Sequence, residues 1–254
     1  MDLFYDVFKP NTITASSGFT KTVNFNSGYS GPLVSCVMVT RGNPELVKKS
    51  IGYFTAQTWR NKELIIVTDR VSKKLKDVLD AELSKVTYHL VTVPSGLTLG
   101  DYRNISVSNS SGEYICQWDD DDLYHPDRIS ACMRVLLESG SSAVFLSRWT
   151  MLWPAKNLAC VSESRVWEGS MISRRDVVPV YPSLKRTEDT EMVDMLCKHH
   201  QIALLDYPKL YFYTVTGENT NTEDHFTNLF NRATLTYSDY GLFVSTMESE
   251  LEPC

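Results

Sequence analysis

No stretch of this 254-residue chain approaches the roughly 18 consecutive apolar residues that a membrane-crossing helix requires, which excludes a helical membrane span. The first residues, Met1-Asp2-Leu3-Phe4, lack both a basic segment and a continuous apolar one. No secretory signal is therefore expected, and a cytoplasmic location is. Basic excess is missing as well. Twenty-five Lys and Arg face 31 Asp and Glu, a net charge of −6, so nucleic acid is not expected as a partner. Its six cysteines (Cys36, Cys116, Cys132, Cys160, Cys197 and Cys254) are scattered and form no C-x-x-C pair. That spacing excludes a zinc framework and a secreted disulfide scaffold and fits buried thiols. Neither an internal repeat nor a low-complexity tract occurs. What remains is ordinary globular material, 43% hydrophobic and 22% charged, long enough for one large α/β domain.

Leu33 to Val39 is a nearly continuous apolar run of strand length, the pattern of a strand covered on both faces. Asn43-Pro44-Glu45 then supplies a cap, a proline at the first helical position and an acid in the first turn, and Val47, Ile51 and Phe54 follow at helical spacing. Strand and helix alternate again. Glu63 to Thr68 predicts a strand, Val71 to Leu83 an amphipathic helix, Thr87 to Val93 a strand, Leu99 to Ser110 a helix and Glu113 to Trp118 a strand. A helix opened by Pro126, a strand over Ala143 to Leu146, a helix over Glu188 to His199 and a strand pair over Ile202 to Tyr213 complete the reading. Short connections of this kind imply an α/β fold with a mostly parallel central sheet flanked by helices. Residues 1–31 form a Ser/Thr-rich N-terminal leader, residues 32–225 the domain and residues 226–254 a C-terminal extension. Within the leader, Thr20 to Phe25 alternates weakly, as an edge strand does.

Asp119-Asp120-Asp121-Asp122 stands at the C-terminal end of a buried strand, where open α/β sheets bind their ligands. Adjacent carboxylates repel by about 1 kcal/mol per pair at ~4 Å in water and by several-fold more in a low dielectric. A hard divalent cation, Mn²⁺ or Mg²⁺, relieves that repulsion and accepts one or two carboxylates together with substrate phosphates. Alternate residues of extended backbone share a side, so Asp119 and Asp121 face one ligand while Asp120 and Asp122 face elsewhere. The competing reading is a solvated acidic loop that caps the following helix.

From Leu33 to about Asp194 the chain resembles family-2 glycosyltransferases of the GT-A fold. The resemblance is carried by Val34 to Arg41, by Glu63 to Asp69, and above all by an ordered string. That string is Gly100, Arg103, Asn104, Gly112, Glu113, Tyr114 and Ile115, then Asp119 to Asp122 and Pro126. It implies a nucleotide-sugar donor, UDP favoured, held by Thr40, Arg41, Asp69, Arg103, Asp119 and Asp120. The metal would sit on Asp121 and Asp119 and bridge two phosphates, with Arg103 helping to neutralise the departing diphosphate. One departure is that the family commonly has two acids where this chain has Thr68-Asp69, which leaves the base contact open.

An inverting transfer needs a carboxylate that takes the proton of the attacking acceptor hydroxyl. Glu188-Asp189, after Thr187, resembles the family's acceptor-side pair, with Asp189 the general base. The same residues also read as a capped helix start. Trp167-Glu168-Gly169 resembles the segment bordering the acceptor. His225 has two readings, a late metal ligand or a surface histidine. Trp149, Trp153 and Trp167 either stack on a sugar or belong to the core. The acceptor implied is a glycan or another hydroxyl-bearing molecule. Two rival functions remain, a nucleotidyltransferase of related fold and a non-catalytic carbohydrate-binding protein.

Overall fold

The computed structural model describes residues 4–9, 19–20, 31–84, 86–217, 219–241 and 243. After β1 (Phe4–Phe8) and β2 (Phe19–Thr20), the apolar run forms β3 (Val34–Val39). Asn43 caps α1 (Pro44–Thr55) by accepting from the Glu45 N–H at 3.1 Å. β4 (Lys62–Thr68), α2 (Lys73–Glu82), β5 (Tyr88–Thr92), α3 (Leu99–Ser108) and β6 (Tyr114–Gln117) follow in the predicted order. Then come β7 (Leu123–Tyr124), α4 (Arg128–Ser139), β8 (Ala143–Leu146), β9 (Thr150–Trp153), β10 (Leu158–Val161) and β11 (Ile172–Arg174). The chain continues through α5 (Glu188–His199), β12 (Ile202–Leu205), β13 (Tyr211–Thr214), α6 (Glu223–Asn231) and β14 (Leu235–Tyr237).

The central sheet has the order β2-β1-β12-β8-β11-β6-β3-β4-β5. β5, β4, β3 and β6 run parallel to one another, as do β12 and β8. β11 runs antiparallel between β8 and β6, and β1 is antiparallel to β12. The sheet is thus more mixed than the strand-helix alternation implies, because three-residue β11 is too short to leave a pattern. A second sheet, β14-β10-β9-β13-β7, draws four of its strands from the region beyond Arg148 where sequence periodicity fades, and takes its edge strand β7 from just after the acidic turn. β1 lies within the stretch set apart as a leader, and both α6 and β14 reach into the stretch set apart as an extension. β2 lies in the leader too; residues 1–3, 10–18 and 21–30 of the leader, and 242 and 244–254 of the extension, lie outside the described residues, as does the alternating segment beyond Thr20.

Strand alternation sorts the core into layers. Val34, Cys36, Met38, Leu64, Ile66 and Cys116 join Val47, Ile51 and Phe54 of α1, Leu75 and Leu79 of α2, and Ile129 and Met133 of α4. Their neighbours Val37, Ile65, Val67 and Ile115 form a separate cluster with Tyr102 and Ile105 of α3. Each buried aliphatic side chain contributes on the order of 1.5–3 kcal/mol of hydrophobic stabilisation. The sheet is therefore covered on both faces, and its strand ends are what the fold leaves open for chemistry.

α3 and α5 meet at a very close approach. Gly100 lies against Pro182, and a Cβ there would stand 1.9 Å from the Pro182 carbonyl oxygen. The Gly100 N–H also donates to the Leu184 carbonyl at 3.1 Å. Only glycine lets the segment before α5 press onto α3, which brings Glu188 over Arg103.

Candidate active site

A cleft of about 900 Å³ opens over the ends of β3, β4 and β6. It is lined by Thr40, Arg41, Asp69, Arg103, Asp119, Asp120, Asp121, Trp167, Glu168, Gly169, Glu188, Asp189 and His225. The fold thus gathers every candidate site residue into one space, although His225 lies 185 positions after Thr40 in the chain.

The acidic turn is built from behind by aromatic packing. Trp118 is fully buried against Tyr124, their ring centroids 4.0 Å apart. The Tyr124 hydroxyl accepts from the Asp119 N–H at 2.8 Å and donates to the Asp119 carbonyl at 2.9 Å, closing the turn on itself. Arg128 braces the same point. It donates from Nη2 to the Gln117 carbonyl at 2.8 Å and lies over the rings of Tyr124 and Tyr211 at 4.5 and 4.7 Å.

The four carboxylates meet different surroundings. Asp120 accepts from Thr40 Oγ1 at 2.5 Å, which links the end of β3 to the turn. Asp121 accepts from Asn219 Nδ2 at 3.2 Å. Asp122 is buried and accepts from the Tyr211 hydroxyl at 2.5 Å and the Thr214 N–H at 2.8 Å, so it anchors β13 to the floor of the cleft, which it also lines. Burial, with Asp119 close by, pushes Asp120 up to about 6. Burial and the charges of Asp119 and Asp120 push Asp121 up to about 7. Burial pushes Asp122 up as well, so three of the four acids sit where negative charge is costly, the condition a cation relieves. Among the described residues no three His, Cys, Asp or Glu side chains form a group that could hold a metal. The turn offers a partial set that fits a cation whose remaining ligands are phosphate oxygens and water, the habit of Mg²⁺ and Mn²⁺.

Arg103 is buried between the two halves of the cleft. Its Nε donates to Glu188 Oε1 at 2.8 Å and its Nη1 to Asp119 Oδ1 at 3.4 Å. The Gln117 amide oxygen, turned toward it, accepts from Nη2 at 2.9 Å. The guanidinium is held by protein acceptors on either side and braces the cleft between Asp119 and Glu188, which it also lines. Glu188 is likewise committed. Burial raises its carboxyl above the ordinary range against the pull of Arg103. Asp189, one residue on, is only half-buried and lines the cleft.

The predicted Thr187 cap is not made. Thr187 takes a left-handed conformation, φ 60° and ψ 13°, and its hydroxyl donates to the Arg186 carbonyl. A β-branched residue in that region is strained, and the strain lies next to Glu188-Asp189.

Opposite, Trp149 stacks between Trp167 at 4.4 Å and Tyr213 at 5.0 Å. Trp149 and Trp167 are 6% and 3% exposed, so their faces cover one another and form a cleft wall with little free surface. Trp153 packs on Phe226 and Phe230 in the core. Arg165 pairs with Glu168 and lies 4.4 Å over the Trp167 ring. His225 is held below its ordinary value by burial and by Arg165 and Arg232, which keeps its imidazole neutral at pH 7. Asn219, Tyr211, Tyr213 and Arg165 have no counterpart among the sequence expectations, since no motif or periodicity marks them.

Residues 35–158 match the family described as Glycosyl transferase family 2. An uncharacterized glycosyltransferase of Methanocaldococcus jannaschii is 33% identical over 101 residues, 39% of this chain and 35% of the relative. Matched segments span 32% to 50% of the length of the curated relatives. Among solved structures, S. aureus TarS in complex with UDP-GlcNAc superposes with a TM-score of 0.62 at 14% identity. That match covers 86% of this chain and 71% of the TarS chain, its residues 1–349. A mannosyltransferase from Pyrobaculum calidifontis in complex with GDP-Man and Mn²⁺ gives a TM-score of 0.58 at 12% identity, covering 78% of this chain and 61% of that one. These likenesses establish the GT-A-type fold. Among the described residues no helix is long and apolar enough to cross a membrane.

Proposed function

We propose, on the match of residues 35–158 to the family described as Glycosyl transferase family 2, that this chain is an inverting glycosyltransferase. It moves a sugar from a nucleotide-diphosphate donor, UDP favoured, to an acceptor hydroxyl. The observation that carries the reading is that the acidic turn and Asp189 line one cleft, with Arg103 bonded both to Asp119 of the turn and to Glu188, the neighbour of Asp189.

Thr40 and Asp69, at the ends of β3 and β4, stand where a nucleoside lies against the strand ends. Asp121 and Asp119 hold Mn²⁺ or Mg²⁺, and Asp120 ties Thr40 to them. When bound, the ion supplies positive charge to the diphosphate that leaves. His225, neutral and on the far wall, is a further ligand for the donor or its ion. Across the cleft, Asp189 takes the proton of the acceptor hydroxyl as that oxygen attacks the anomeric carbon and the bond to the diphosphate breaks. Trp167, Glu168 and Gly169 border the acceptor, and the stacked wall excludes water from the reacting atoms. The decisive experiment is calorimetric titration of UDP with and without Mn²⁺, followed by a screen of nucleotide-sugars for hydrolysis or transfer. Metal-dependent UDP binding with release of UDP from one nucleotide-sugar supports the proposal. Absence of any nucleotide binding refutes it.

A further inference from the structure

The segment between β13 and α6 grips two of the four acidic side chains. The Thr214 N–H donates to Asp122 Oδ1 at 2.8 Å, and the Thr214 carbonyl accepts from Asn219 Nδ2 at 3.0 Å. The same Nδ2 donates to Asp121 Oδ2 at 3.2 Å. At the other end of this amide, Asn219 Oδ1 accepts from Thr216 N at 2.7 Å and from Thr216 Oγ1 at 3.3 Å. Both donor hydrogens and both acceptor positions of one side chain are in use. Turning the amide over would set nitrogen against the Thr216 N–H and oxygen against the Thr214 carbonyl and Asp121. The end that meets Asp121 is therefore fixed as a donor.

Asp121 sits among like charges, with Asp119 and Asp120 both raising the cost of its ionised form. A carboxylate so placed and left without a partner would turn away from its neighbours. We infer that Asn219 is a positioning residue for Asp121. It satisfies Oδ2, fixes the direction in which the carboxylate points, and leaves Oδ1 as the oxygen presented to a divalent cation. The inference rests on the reading of the acidic turn as the element that binds cation and diphosphate. Groups that orient a metal-binding side chain without touching the metal change affinity by on the order of 10–100-fold.

Two substitutions at this position separate orientation of Asp121 from mere support of the segment. Asn219→Ala removes all four contacts. Asn219→Asp keeps the acceptor for Thr216 and the shape of the side chain, but replaces the donor facing Asp121 by an oxygen that can itself ligate a cation. Mn²⁺ is titrated by electron paramagnetic resonance into the full chain without nucleotide, and UDP is titrated by calorimetry with and without Mn²⁺. Asn219→Ala is expected to weaken Mn²⁺ binding at least tenfold and to change metal-free UDP binding less than twofold. Asn219→Asp is expected to bind Mn²⁺ as tightly as the wild type or more so. Unchanged Mn²⁺ affinity in Asn219→Ala, or equal weakening in both variants, overturns the inference. Should Asn219→Ala not fold, Asn219→Ser, which keeps a small polar side chain but not the amide that spans Thr216 and Asp121, takes its place: a tenfold loss of Mn²⁺ affinity supports the inference and an unchanged affinity overturns it. A wild-type chain that binds neither Mn²⁺ nor UDP sinks the parent reading, whereas wild-type binding that ignores Asn219 sinks this one only.

Discussion

Arg103 Nε lies 2.8 Å from Glu188 Oε1, and the two side chains are 8% and 2% exposed, so α3 and α5 are joined by an ion pair sealed from water. Breaking one side of such a pair strands the other charge, at about 3–5 kcal/mol, while replacing both by apolar groups is often close to neutral. Arg103→Met is therefore expected to lower the unfolding free energy by roughly 3–5 kcal/mol. Arg103→Met combined with Glu188→Met should recover most of that loss. Urea denaturation of the single and double variants tests this, and a double variant no more stable than Arg103→Met would show that the pair does not hold the helices together.

The same low-dielectric setting makes the acidic turn a source of pH-dependent instability. Asp120 and Asp121 are raised to about 6 and about 7, chiefly by burial. In this fold both keep protons that the unfolded chain has already released. Their contribution is complete below the ordinary carboxylate range near 4, and it is lost as pH rises through about 6 and about 7. Without divalent ions these two groups should make the chain melt lower at pH 8 than at pH 5. Asp121→Asn should melt higher than wild type at pH 8 by several degrees, at ~2–4 °C per kcal/mol for a chain of this size, and Mn²⁺ should raise the wild type alone. A gap between wild type and Asp121→Asn that stays constant from pH 5 to pH 8 in scanning fluorimetry would refute the assignment.

Much of this site is legible in the amino-acid sequence. Val34–Val39 and Lys62–Thr68 are buried on both faces, so their apolar runs are continuous and their ends can be located. With β6 they fix where Thr40, Asp69 and Asp119 must stand. The second sheet is not legible, because β9, β10 and β13 have four residues each and are mostly buried, too short to show a period. Nor is the commitment of Glu188 visible. An acid in a first helical turn looks the same whether it faces water or Arg103, 85 positions away. The same holds for Asn219, whose grip on Asp121 spans 98 positions. Local pattern reports what a residue's own element requires, whereas these contacts are set by how elements meet.

Thr187 offers a test of strain beside the site. A left-handed conformation costs an L-residue with a Cβ roughly 1–2 kcal/mol relative to glycine. Thr187→Gly is therefore expected to hold or raise the unfolding free energy, by about 1 kcal/mol, since glycine adopts φ near 60° freely. Its turnover should fall, because a freer joint positions Asp189 less firmly. Destabilisation together with unchanged turnover would mean that Thr187 supports the fold through its hydroxyl and that its backbone stores nothing the reaction uses.

Asp121 and Asp189 should fail in opposite ways. Asp189 enters the cleft from the first turn of α5, where its Oδ1 accepts from the Thr190 N–H at 2.9 Å, leaving its other oxygen for an incoming hydroxyl. General-base assistance of this kind is worth on the order of 10²–10⁴ in rate. Asp189→Asn preserves shape and the bond to Thr190 while removing basicity, so kcat should fall by about that factor, with UDP affinity held within twofold. Asp121→Asn should abolish metal-dependent UDP binding, and turnover with it. The two variants are compared by calorimetry and by UDP release on one enzyme preparation each. Loss of nucleotide affinity in Asp189→Asn would move that residue to the donor side. Full turnover in the same variant would remove it from the chemistry and leave the acceptor proton without an acceptor on α5.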